Sequence, residues 1–124
     1  MDGTFKKQLE ECGADVDVTL KRFMGNEAIY MKFIMKFLDD KNYEGIKEGV
    51  EGQDYEKAFA CAHSLKGVAV NLGLNPVYEA SSQITEILRN KKVEEIDLEE
   101  LGKAKDMLEE SYCRFQKIIS ENKQ

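Results

Sequence analysis

The chain contains no tryptophan, one proline and one histidine. Its three cysteines, Cys12, Cys61 and Cys113, are widely spaced, with no CxxC pair and no Cys/His cluster. One histidine and scattered carboxylates make a poor ligand set, which argues against zinc or another structural metal. The cysteines are expected to be reduced and buried. No apolar run approaches the ~20 residues that cross a bilayer. The N-terminus, Met1-Asp2-Gly3-Thr4, lacks the basic and apolar regions of a secretory signal, so a cytoplasmic location is expected. A basic excess is also missing. The net charge is −6, which argues against nucleic acid and against an anionic membrane surface as partners.

What is present suits one helical domain over residues 1–124. Apolar residues make up 42% of the chain, enough for a core, and charged residues make up 34%, which suits solvated outer faces. Short helices are predicted at Thr4–Glu11 and Asp17–Phe23, the latter turning Val16, Leu20 and Phe23 inward. A long helix is predicted from Asn26 as cap through Glu51, with Tyr30, Phe33, Ile34, Phe37 and Leu38 as its stripe and a bend near Asn42. Asp54 caps the next helix, which ends at Gly73. Asn75-Pro76 opens another, reaching about Asn90, with Val77, Ala80, Ser81, Ile84, Ile87 and Leu88 inward. Asp97 and Glu100 form a capping box for the last helix, whose stripe is Leu101, Ala104, Leu108, Phe115, Ile118 and Ile119. The tail, residues 121–124, is expected to fray. Short connections between long helices predict an all-α, antiparallel up-down four-helix bundle with short additional N-terminal helices.

The single histidine, His63, lies in the fourth of these segments. Cys61, Leu65, Val68 and Leu72 have the spacing of a buried stripe. At about 100° per residue His63 points roughly 160° from Cys61 and Leu65, toward solvent. Lys66 follows on the same face about 4.5 Å along the axis, within reach of an anion held at the imidazole. Gly67 costs helix stability there. It serves either clearance for an approaching molecule or close packing of helices. Glu56, Phe59, Ala60 and Val70 share the face, with Ser64 beside it. Phe59 and Val70 are apolar for free solvent, so the face is either a docking surface or is covered by the N-terminal helix. Cys61 points inward and Ser64 is adjacent in sequence, so neither pairs with His63 as a nucleophile. The imidazole itself remains as the nucleophile. A neutral imidazole nitrogen can attack phosphorus, with Lys66 offsetting the phosphate charge.

Ala62-His63-Ser64-Leu65-Lys66-Gly67, followed by Asn71-Leu72-Gly73, resembles the signature of histidine-containing phosphotransfer (HPt) domains. The resemblance is strongest from Leu20 to Arg89 and takes in the Phe37-bearing helix and Asp54. It implies a four-helix bundle whose exposed histidine accepts a phosphoryl group from a receiver-domain aspartate or hybrid histidine kinase and passes it to a response-regulator receiver. On that resemblance His63 is the phosphorylation site, Lys66 assists the phosphate, and Gly67 admits the receiver. The receiver brings Mg²⁺, so the chain is expected to need no cofactor or metal of its own. Two departures stand out. Val70 occupies a position that is small in many members, and Ile84-Thr85 replaces a frequent Leu-Glu pair. Antiparallel pairing about the Gly73–Asn75 turn brings the region of Thr85 alongside His63. Gln83 or Thr85 there either hydrogen-bonds the imidazole and sets its tautomer or stays solvated.

The leading expectation is therefore a monomeric phosphorelay carrier without kinase activity of its own. The alternative is a phosphate-free docking module that binds and regulates a receiver or histidine kinase. An unrelated helical scaffold would require the motif to be accidental.

Overall fold

A computed structural model describes residues 1–123. Seven α-helices follow one another: α1 (Gly3–Glu11), α2 (Val16–Arg22), α3 (Glu27–Lys36), α4 (Asn42–Glu51), α5 (Tyr55–Leu72), α6 (Asn75–Leu88) and α7 (Leu98–Glu121). Among the described residues there is no β-strand and no helix long and apolar enough to cross a membrane. Helices α4 to α7 form an antiparallel bundle, and α1 to α3 pack across one end of it.

Local chemistry sets most of the helix starts. The carboxylates of Asp2, Asp15, Asp54 and Asp97 and the side-chain oxygen of Asn26 each accept a first-turn backbone N–H. These are donors that the helix itself cannot satisfy. Asp97 accepts from both Glu99 and Glu100 N–H, at 3.0 and 3.1 Å, so the last helix has the cap but not the reciprocal half of the expected box. Helix α6 begins at Asn75 with Leu74 as its flanking residue, one position earlier than expected, and ends at Leu88.

The long helix expected over Glu27–Glu51 is two helices. After Lys36 the chain tightens into a 3₁₀ turn at Phe37–Asp39, and Asp40 is extended (φ −67°, ψ 133°). The Asp40 carboxylate accepts from the Asn42 backbone N–H at 2.8 Å and from its side-chain amide at 3.1 Å. This local capture competes with helix continuation and restarts the chain as α4.

Within α4, Gly45 and Gly49 face α5. A β-carbon at Gly49 would stand 2.8 Å from Ala58 N and 2.9 Å from Ala58 Cβ, and one at Gly45 would meet the Cys61 sulfur. The glycines that weaken α4 as a helix thus let it press against α5. On its other side α5 meets α6 through small residues: Ala62 and Ala69 on α5, and Ala80, Ser81 and Thr85 on α6, are all buried. Helix α7 closes the bundle with Leu101, Ala104, Leu108, Tyr112, Phe115 and Ile119, while Ile118 is half-buried. Tyr112 stacks on Tyr43 of α4 with ring centroids 4.3 Å apart.

The N-terminal helices hold the C-terminal end of α5. Asp15 N donates to Gly73 O at 2.9 Å, Tyr30 Oη to Leu72 O at 3.3 Å, and an Arg22 guanidinium nitrogen to Val70 O at 3.0 Å. Gly73 terminates α5 in the left-handed region (φ +73°), and a β-carbon there would collide with the Thr19 side chain. Only glycine fits both the backbone angle and that contact.

Several expected burials shift. Phe33 is 41% exposed, Leu20, Phe23, Leu38 and Ile87 are half-buried, and Thr19 is buried instead. Cys12 and Cys61 are half-buried and Cys113 is exposed, so the expectation of three buried cysteines fails, although all three are unpaired thiols. At the tail, the Asn122 side chain donates to Gln8 Oε1 at 3.1 Å and Ile118 O at 2.8 Å, which ties the end of α7 to α1. The part of the expected fraying that falls on Gln124 lies outside the described residues.

Candidate functional site

The buried stripe of α5 is Ala58, Ala62, Leu65, Ala69 and Leu72. It lies about a seventh of a turn from the expected one, because Cys61 and Val68 are only half-buried. The difference arises because α5 is wedged between two neighbours, and alanine is the residue that lets both approach. His63 remains outside the stripe and is exposed. It stands at the middle of α5, where the backbone is fully hydrogen-bonded, so only its side chain is available for chemistry. Among the described residues no side chain or carbonyl hydrogen-bonds its imidazole.

The surroundings of His63 separate into three kinds. Glu56, Ala60 and Ser64 are exposed, and Val70, two turns on, is 41% exposed. None of these is covered by α1 or α2, which fasten the end of the helix and leave this face open. Lys66 is half-buried, and among the described residues its ammonium has no carboxylate partner within ion-pair distance. Its stem packs while its charge stays available one turn from the imidazole. Gly67 completes the set. A β-carbon built there finds nothing within 4 Å, so close helix packing does not explain this glycine. The contrast with Gly49, where neighbouring atoms crowd the same test position, is direct.

Of the two readings open for Gln83 and Thr85, hydrogen-bonding the imidazole or staying solvated, Gln83 follows the second and Thr85 follows neither. Thr85 is fully buried, and its hydroxyl donates to the Ser81 carbonyl at 2.8 Å within its own helix. The helix register does place it opposite His63, but its hydrogen is committed elsewhere and its side chain lies under the helix pair. Gln83 is exposed and lines the groove between α6 and α7 with Glu100, Lys103 and Met107, away from the α5 side.

Two features were not read from the sequence. Arg89, at the end of α6, sets its guanidinium carbon 5.4 Å from the centroid of the Phe59 ring, and that ring lies nearly parallel to the His63 imidazole (11°), centroids 6.2 Å apart. The signal was present in the register: Phe59 meeting Arg89 is the His63–Thr85 pairing displaced by one turn on each helix. The second is a cleft of about 520 Å³ between α2, α3 and the C-terminal half of α5. Phe23, Phe33 and Val68 supply apolar walls, Arg22 and Lys36 supply positive charge, and Asp40 supplies one carboxylate. Its residues come from three helices, so no local spacing announces it.

Chemically, the site offers an accessible nucleophilic nitrogen, a nearby cation without an anionic partner among the described residues, and free space on the approach. Among the described residues no group of three or more histidine, cysteine or acidic side chains is placed to hold a metal ion. No curated protein and no solved structure is matched by this chain. One family model does match, that of the Hpt domain, over residues 33–111, more than half of the chain and from within α3 into α7.

Proposed function

The chain belongs to the Hpt domain family, the histidine phosphotransfer modules of two-component phosphorelays, and from that membership we propose that His63 is its phosphoryl-carrying residue. The observation that carries this reading is the open approach to the imidazole, with Gly67 facing empty space and Lys66 unpaired beside it. In the transfer, an imidazole nitrogen lone pair attacks the phosphorus of a receiver aspartyl phosphate. The bond from phosphorus to the carboxylate oxygen breaks, and the carboxylate leaves with its electron pair. The phosphoryl group then rests on nitrogen until a second receiver aspartate takes it by the reverse step. Lys66 offsets the added negative charge. We assign Mg²⁺ and the acidic cluster to the receiver, and no cofactor to this chain.

The docking surface proposed for the receiver comprises Glu56, Phe59, Ala60, Ser64, Gly67 and Val70. The cleft beside α5 extends it with Phe33 and the cations Arg22 and Lys36. These positive groups lie next to the site in a chain of net charge −6. Arg22 and Lys36 outnumber Asp40, the acidic residue that also lines the cleft, and this local excess of positive charge complements the acidic pocket of a receiver and favours productive encounter.

The test is phosphoryl transfer from a panel of phosphorylated receiver domains to the wild type and to His63→Gln. The expected result is an acid-labile, base-stable phosphate on the wild type alone. Equal labelling of His63→Gln would remove His63 from the reaction. Binding to a receiver with no transfer by the wild type would replace the carrier reading with that of a docking module.

A further inference from the structure

On the phosphorelay reading of His63, we propose that Phe59 is a positioning residue, which holds the plane of the imidazole and is itself held by Arg89. Three observations build this. The Phe59 ring and the imidazole are one helical turn apart and nearly parallel, 11° between planes and 6.2 Å between centroids, an offset-stacked arrangement. The Arg89 guanidinium carbon lies 5.4 Å from the centroid of the same Phe59 ring, within cation–π range. Arg89 in turn is anchored: its Nε and one terminal nitrogen donate to the same Glu86 carboxylate oxygen at 3.3 and 3.2 Å.

The need for such a device follows from what the imidazole lacks. It is exposed, and among the described residues nothing hydrogen-bonds it, so no polar group fixes its second torsion. Thr85, opposite in register, is buried and bonded to its own helix. Phosphoryl transfer requires the attacking nitrogen to be aligned with the bond being broken, in the plane of its ring. A flat apolar neighbour restricts ring rotation without consuming a nitrogen, leaving one free to attack and the other its proton. Phe59 is half-buried beneath Arg89, so it is itself ordered enough to serve. The arrangement gives Phe59 a role beyond contact with a docking partner, and gives Arg89 a role without direct contact with phosphate.

The experiment compares wild type, Phe59→Leu, Phe59→Tyr and Arg89→Gln as full chains, each first checked for helicity and thermal unfolding. Two readouts are taken. One is the ¹³C relaxation order parameter of the unphosphorylated His63 ring, which needs no partner. The other is transfer from a phosphorylated receiver, resolved into the rate at saturating receiver and the receiver affinity. Phe59→Leu is expected to lower the ring order parameter, and to lower the rate at saturating receiver by about two- to fivefold in addition to any loss of affinity from the docking surface. Phe59→Tyr is expected to restore both, and Arg89→Gln to give a smaller loss of the same kind. An unchanged order parameter in Phe59→Leu overturns the proposal, whatever happens to transfer. So does a loss confined to affinity, with the saturated rate intact, which would leave Phe59 a docking contact and nothing more. Absence of transfer in the wild type would count against the carrier reading alone, because the ring order still decides the stack.

Discussion

Gly67 and Gly49 both lie inside helices, and replacing each should move stability in opposite directions. At Gly67 a β-carbon meets nothing within 4 Å, and the residue lies well inside α5. Gly67→Ala should therefore recover the helix-propensity difference of about 1 kcal/mol. With an unfolding entropy of about 2 cal/mol/K per residue over 124 residues, that raises the melting temperature by about 4 °C. Gly67→Gln, with slightly lower propensity, should also raise it, by about 2–3 °C. At Gly49 the new carbon would stand 2.8 Å from Ala58 N and Asp54 O, both backbone atoms that cannot step aside. Gly49→Ala should cost about 1–3 kcal/mol, a fall of roughly 4–12 °C. Thermal unfolding followed by far-UV circular dichroism measures all three. Transfer from a phosphorylated receiver should fall steeply for Gly67→Gln, whose side chain fills the approach to His63. A lower melting temperature for Gly67→Ala would show that Gly67 does pack tightly. Unaltered transfer by Gly67→Gln would refute its role as clearance.

Lys66→Ala should slow transfer about tenfold, the loss of roughly one partly exposed charge-assisted contact, with helicity unchanged; equal rates in stopped transfer assays would exclude Lys66 from the phosphate. Burial pushes the Tyr30 phenol up from 10 to about 12. Its neutral form is favoured in the fold, so its stabilisation is intact below pH 10 and is lost as pH rises from 10 to 12, by at most about 2–3 kcal/mol. Urea midpoints across that window should decline less in Tyr30→Phe than in the wild type, part of the remainder coming from half-buried Tyr43, also raised to about 12, and part from Tyr112, Lys6 and Lys57, also raised; identical declines would contradict the assignment. The Ser81 hydroxyl is buried between α5 and α6 with no hydrogen-bond partner among the described residues, so Ser81→Ala should stabilise the protein by about 1 kcal/mol in denaturant unfolding, and a loss would reveal a partner for it.

Features that depend on a few consecutive residues are legible in the amino-acid sequence. Asp54, Asn26 and Asp97 are caps because their oxygens reach N–H groups two or three residues away. Gly73 ends α5 because a left-handed residue is required there. The outward direction of His63, and its companions Lys66 and Gly67, follow from helical rotation alone. Where the sequence misled, a competing local bond or a neighbouring helix decided. Asp40 captures Asn42 and divides the expected long helix, a choice that propensity along Glu27–Glu51 does not display.

Burial needed the tertiary structure for a different reason. An alanine or threonine carries little hydrophobic signal, yet Ala58, Ala62, Ala69 and Thr85 are fully buried, because only small side chains allow α5 to lie against both α4 and α6. The same close approach takes Thr85 away from the imidazole and brings Arg89 over Phe59. By itself the sequence determined most of the helices and caps and the presentation of one imidazole, since these depend on backbone hydrogen bonds and rotation over a turn or two. Which polar side chains reach that imidazole, and which glycine meets empty space rather than a neighbour, was decided only by packing, since it depends on atoms far apart along the chain.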